Sequence, residues 1–274
     1  MTSRKCFALM GALRTALGAA RMVVLFALVS GCSTLVPAPG VPASAPAEAQ
    51  AAWARVLEEF VNDRGEVDFA ALATRRSDLD AFVRHVADTP LDSLPDGPQR
   101  LAHMINAYNA LSMFNVIQSG IPATHTGWNK VLFFVSRKLD VGGQQLSLYD
   151  FENEVIRPYT RARNDPRVHF ALNCSALACP VLPRRPFSAA ALDEELERET
   201  RAFFSRPLNL RVDAGTRTVW LSELMNFYPE DFVPRPAASL LDYVNRYAPA
   251  PLPADFQLRF IPYDWTVANS RRPR

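Results

Sequence analysis

Trp53, Val56, Leu57, Phe60 and Val61 recur at the three- and four-residue spacing of a helix with one buried face, and Asp63-Arg64-Gly65 closes that segment. A second helix is predicted from about Phe69 to Val86, and the three prolines between Thr89 and Pro98 make a loop. The stretch Leu101 to Gly120 carries no charged residue and is apolar around most of its circumference, which predicts a buried helix. His103, Asn106, Asn109, Ser112 and Asn115 interrupt it, each costly in hydrocarbon, so it is not read as a membrane span. Further on, Val131 to Val135 and Lys138 to Val141 read as short strands around a turn, with a second turn at Gly142-Gly143. Ser147 caps a helix, and Asp150 at its third position reinforces the cap. Val168 to Asn173 is expected to be a strand, and Ser188 to open a charged amphipathic helix through Phe204. Residues 208–212 and 218–221 flank Asp213-Ala214-Gly215-Thr216, a hairpin signal, and short helices at 222–228 and 236–247 follow. Helices in front and short strands behind predict an α+β fold, with helices packed on a small, mainly antiparallel sheet.

Ahead of this body the pattern changes. Residues 22–30 are a short apolar run behind Arg21, too short for a bilayer but suited to the central region of an export signal. The run Leu28-Val29-Ser30-Gly31-Cys32 resembles the bacterial lipobox. In that resemblance residues 1–31 are removed and Cys32 becomes the lipid-bearing first residue, with Ser33 after it resembling the signal for the outer membrane. Residues 32–50 hold four prolines among Ala, Gly and Ser without an aromatic residue, and read as a tether. One folded domain is expected over 51–270 and a solvated basic tail over 271–274. Of the 274 residues, 49% are hydrophobic, with 22 Pro and 11 Gly, which excludes disordered and collagen-like chains. Setting aside the four basic residues of the signal leaves 26 of the 30 Lys+Arg against 28 Asp+Glu. That balance gives no reason to expect a nucleic-acid partner.

Candidate chemistry gathers at three places. On the 101–120 segment, His103, Asn106 and Asn109 advance by three and share one side of the helix. They line a pocket or form a polar seam bonded to neighbouring loops. Glu152 falls inside the apolar stripe of Leu148, Phe151, Val155 and Ile156, so it must be paired or have its pKa raised. On the expected strand, alternation gives His169, Ala171 and Asn173 one face, the polar wall of a pocket. Cys174 and Cys179, in a loop ended by Pro180, are expected to form a small disulfide in an oxidising compartment. The rival reading makes Cys174 a nucleophile activated by His169. No further His or Cys pair has zinc-ligand spacing, and no metal or cofactor is expected. Phosphate-loop, serine-elbow and zincin motifs are absent from the sequence.

Asn106-Ala-Tyr-Asn109-Ala, Leu146-Ser-Leu-Tyr-Asp-Phe-Glu152, Asp165-Pro-Arg-Val-His169-Phe-Ala-Leu-Asn-Cys174, Cys179-Pro180 and Tyr263-Asp264-Trp265 together resemble the family called domain of unknown function 547. The resemblance spans roughly Trp53 to Asn269. It implies a fold likened to papain-type and transglutaminase-type enzymes, in which the Asn106 helix would face the His169 strand across a cleft. No Cys stands on the Asn106 helix, however. Where the family often shows Phe-Trp-Ile-Asn this chain has His103-Met104-Ile105-Asn106, and Asn153 replaces the His after the acid. The expectation is an envelope lipoprotein facing the periplasm, with a cleft for hydrolysis or acyl transfer at an amide-type bond. In it His169 is acid or base, Glu152 orients it, and Cys174 is the reserve nucleophile. Asn106, Tyr108, Asn109 and Asn173 hold a peptide or cell-wall substrate. The alternative is a non-catalytic module that binds a peptide or envelope protein through the cleft or through Trp220, Phe227 and Tyr228.

Overall fold

The computed structural model describes residues 33–271, so the expected export signal and the lipid-bearing Cys32 lie outside the described residues. From Thr34 the chain forms one compact α+β unit. The interval expected to be a tether is largely part of the fold. β1 (Thr34–Val36) pairs in parallel with β2 (Arg137–Val141), and the first helix starts at Pro46 and runs to Phe60. Leu35-Val36 supplies the strand, and Pro46 in the first turn loses only an N–H that a helix leaves unpaired there.

The central helix, Pro98–Gln118, buries every residue from Leu101 to Val116. Around it pack the helices Pro46–Phe60, Phe69–Thr74 and Ser77–Asp88, with Trp53 fully buried and stacked on Phe82 at 5.3 Å. Truncating such a ring costs about 3–5 kcal/mol. The single helix expected over 69–86 is broken at Arg75, whose N–H bonds back to Ala71 and Leu72 and closes the first piece. β2 turns through Gly142-Gly143 into β3 (Gln144–Leu146), and the two glycine amides satisfy the carbonyls of Val86 and Ala87. Gly142 has φ +56°, and a Cβ there would stand 2.8 Å from the Thr89 carbonyl oxygen, so the turn requires glycine.

A second layer holds β4 (Leu210–Asp213), β5 (Thr218–Ser222) and β6 (Gln257–Ile261), covered by Leu192–Phe204 and Leu240–Asn245. The expected hairpin is present as β4–β5, but β6, which no sequence signal marked, adds in parallel to β5. Each sheet therefore has three strands with one parallel and one antiparallel pairing. Phe170, Phe204, Phe232 and Tyr243 form the core of this layer. The segment 263–270 joins the layers: Val67 N–H donates to Ala268, His125 N–H to Trp265, and Leu177 N–H to Thr266.

Two expected strands are helical. Trp128–Val131 is a helix that continues as a wide π turn over Leu132–Ser136, held where Asn115 Nδ2 donates to the Phe133 carbonyl at 2.9 Å. Residues 166–170 form a 3-10 turn instead of the strand expected at Val168–Asn173. Asp165 caps it by accepting from Arg167 N–H, and Pro166 fixes the first turn, which overrides the alternating pattern.

Candidate functional site

Glu152 owes its position to the start of its helix. Ser147 and Asp150 form a capping box, and the chain then widens into a π turn over Phe151–Ile156, where Arg157 N–H reaches back to the Glu152 carbonyl. Pro158 cannot donate to the turn before it, which accompanies the widening. Such turns recur at functional sites. Glu152 is half-buried and accepts from the Tyr108 hydroxyl at 2.9 Å. Burial, and then the Glu152 charge, push the hydroxyls of Tyr108, Tyr228 and Tyr263 well above their ordinary range. All three therefore stay protonated around one carboxylate. Next to them Phe227, Tyr263 and Trp265 form an aromatic shelf, with Tyr263 and Trp265 centroids 4.4 Å apart and Lys130 Nζ 3.7 Å over the Trp265 ring.

His169 is buried and paired elsewhere: its Nε2 lies 2.8 Å from Asp231 Oδ2, and its ring sits between Tyr228 at 5.0 Å and Phe232 at 5.3 Å. Asp231 also accepts from Arg157 Nε at 2.6 Å and from Arg161. Burial alone would raise this carboxyl, but the hydrogen bonds from His169 and Arg157 outweigh it and hold it below the ordinary carboxylate range. Tyr228 stands between the two expected partners, with its ring on the imidazole and its hydroxyl in hydrogen-bonding range of Glu152. The expected Glu152–His169 pair is replaced by Glu152–Tyr108 and His169–Asp231.

The carboxamides are tied into the backbone. Asn106 Oδ1 accepts from Trp53 Nε1 at 3.2 Å and from Phe187 N–H at 3.0 Å, while its Nδ2 donates to the Phe187 carbonyl at 2.8 Å. Asn109 does the same for the turn beyond His169, donating to the Ala171 carbonyl and accepting from Asn173 N–H. Asn173 in turn donates to Pro180 and accepts from Ser175 N–H. These bonds make the carboxamides seams between elements. Cys174 and Cys179 are joined in a disulfide, which removes Cys174 as a thiolate nucleophile, and the Tyr263 hydroxyl lies 3.1 Å from Cys179 Sγ.

Two hollows border the candidates, and neither gathers them. One of about 1050 Å³ is lined by His85, His103 and Asn106, with Arg185 and Arg198 at its edge. The other, of about 930 Å³, is lined by Asn173, Cys179, Glu199 and Arg206. Glu152 and His169 line neither of these two hollows. Trp220 likewise leaves the aromatic face, lying under Arg211 at 5.0 Å on the β4–β5 ribbon. Among the described residues no group of three or more His, Cys, Asp or Glu could hold a metal ion.

Sequence reasoning missed Asp231 and Arg157, which hold His169, and gave Tyr228 only to the alternative aromatic face. Tyr263 appeared only within a quoted motif. Periodicity could not have found Asp231, which sits in a short 3-10 turn beside Glu230.

Residues 91–204 match the family model described as protein of unknown function, DUF547. No curated protein and no solved structure matches the chain. Tyr228, Asp231 and Tyr263 lie beyond the matched residues, whereas the central helix from Leu101, the Glu152 turn, the His169 turn and both cysteines lie within them. Over that segment the chain is similar to the DUF547 family.

Proposed function

We propose that the protein is an envelope lipoprotein, anchored at Cys32 and facing the periplasm from the outer membrane, that binds a peptide through its amino group. The observation that carries the binding reading is the setting of Glu152. It is a half-buried carboxylate held by tyrosine hydroxyls beside an aromatic shelf, while Asn106, Asn109, His169 and Cys174 are engaged in structural bonds. A carboxylate with aromatic faces next to it suits an ammonium group, which gains both a charge-assisted hydrogen bond and a ring face. The disulfide supports an oxidising compartment, and the sequence Leu28 to Cys32 supports the anchor.

The hydrolase or acyl-transferase reading now rests on Glu152 and the Tyr108 hydroxyl beside it, since Cys174 is held in the disulfide and His169 is paired with Asp231. One titration separates the two. Wall-derived stem peptides with a free amine, and the same peptides N-acetylated, are titrated against wild type and Glu152→Gln while cleavage products are followed. Binding weakened about 10-fold or more by either acetylation or Glu152→Gln, without turnover, is the expected result. Turnover by wild type that Glu152→Gln abolishes would replace the binding reading by the enzyme. Equal binding by both proteins would remove Glu152 from the site.

A further inference from the structure

Trp128, Val131, Leu132 and Val135 are 79%, 40%, 47% and 46% exposed. Their spacing of three, one and three places them in one stripe along the helix and π turn over 128–136. A stripe of large apolar side chains left in water on a short helix needs a cover. The neighbouring elements continue it. The helical segment runs directly into β2, whose Arg137 and Lys138 are paired with Thr34 and Leu35 of β1, and it packs against Leu148–Asp150. Leu35 is 48% and Tyr149 45% exposed, so these elements carry six of the eight exposed large hydrophobic residues among the described residues.

The place where the chain enters the fold says what the cover is. Thr34 lies in register with Arg137, immediately after the stripe, and Cys32 is two residues earlier. Two residues reach at most about 7 Å, and the nine-residue helical segment is roughly 13 Å long. With the strand spacing of about 5 Å between Thr34 and Arg137, an acyl group on Cys32 would therefore enter a bilayer within about 25 Å of every residue in the stripe. Interfacial helices carry this composition, with Trp at headgroup depth and Leu and Val below it.

We propose that this face rests on the lipid bilayer, with the Trp128–Ser136 segment as an interfacial helix that fixes how the body sits on the membrane. The proposal takes its occupant from the lipid-anchor reading of Cys32, and its test separates the two. The full chain, processed in its host, is reconstituted in phosphatidylethanolamine and phosphatidylglycerol vesicles with or without brominated acyl chains. The Trp128 emission is taken as the difference between wild type and Trp128→Phe, and the N-terminal peptide of the same sample is weighed by mass spectrometry. At least twofold quenching of Trp128 by brominated lipid is expected, lost in the double variant Leu132→Asp and Val135→Asp with unchanged thermal unfolding. Should that variant unfold, Leu132→Lys alone is expected to reduce the quenching. Acylated Cys32 with unquenched Trp128 overturns the membrane face and leaves the anchor standing. Quenching without acyl mass keeps the face and overturns the anchor, and neither signal overturns both. Trp128 shielded from iodide as concentration rises in vesicle-free protein, without lipid quenching, would give the face to a second copy and also overturn the proposal.

Discussion

Asn106 shows how one side chain can look like chemistry and act as carpentry. Its carboxamide makes three buried hydrogen bonds, to the Trp53 indole and to both backbone groups of Phe187. Removing it leaves a donor or acceptor unsatisfied on each partner, at about 1–3 kcal/mol apiece. Asn106→Ala is therefore expected to lower the unfolding free energy by about 3 kcal/mol, read as a lower urea midpoint, without a specific effect on peptide affinity. Loss of affinity with unchanged stability would return the residue to the site. Asp231 is the second test at this scale. Its folded pKa lies below the unfolded value of about 3.9. Its contribution is thus complete above about pH 4 and declines as pH falls toward the lower folded value. Asp231→Asn should cost about 3–5 kcal/mol at pH 7, because the buried Arg157 loses its carboxylate partner and an amide NH2 replaces one of the two acceptor oxygens shared with His169 and Arg161. It should also flatten the acid limb of stability below pH 4, and an unchanged limb in urea titrations would refute the assignment.

For whole elements, the outcome turned on which signal was local. The Ser147 cap, the uncharged 101–120 run and the Asp213–Thr216 hairpin were legible because their causes lie within a few neighbouring residues. The run 131–135 misled because its β-branched and aromatic residues suit a strand, whereas the Phe133 carbonyl is fixed by Asn115, a contact between distant residues. At 168–173 the alternation was real as a pattern, but Asp165 and Pro166 decided the conformation. The Glu152 site was half legible, since the acid's inward setting followed from helical spacing while its tyrosine partners came from three separate elements. Two histidines, one on the central helix and one in the loop that follows it, make a further prediction. His103 and His125 are buried, and His103 Nε2 and both His125 ring nitrogens lack a hydrogen-bond partner among the described residues. Burial lowers each pKa to about 4, with the charge of His85 a smaller cause at His103. Between about pH 6.5 and 4 the unfolded chain takes up protons that the fold refuses, so stability should fall as pH drops through that window and level off below it. Each site contributes up to about 3 kcal/mol. His125→Phe, which keeps the ring contact with Phe133 at 3.9 Å, should remove its share in unfolding curves at pH 7.5 and 4.5. An unaltered pH slope would refute it.

On the scale of the whole molecule, two hydrophobic clusters share Phe134 at their border and are joined by backbone hydrogen bonds between segments far apart in the chain. The disulfide tightens one side of that junction, and its small loop limits its worth to about 2 kcal/mol. Reduction with dithiothreitol should therefore lower Tm by several degrees without unfolding the protein at room temperature; an unchanged Tm would place the bond outside the stabilising junction. The stitch made by 263–270 has a kinetic meaning as well. It supplies the acceptors for Val67, His125 and Leu177, so the contact between the halves is incomplete until residues 263–270 are in place. A polypeptide emerging amino end first from the ribosome would therefore lack this clasp between its halves until residues 263–270 had followed.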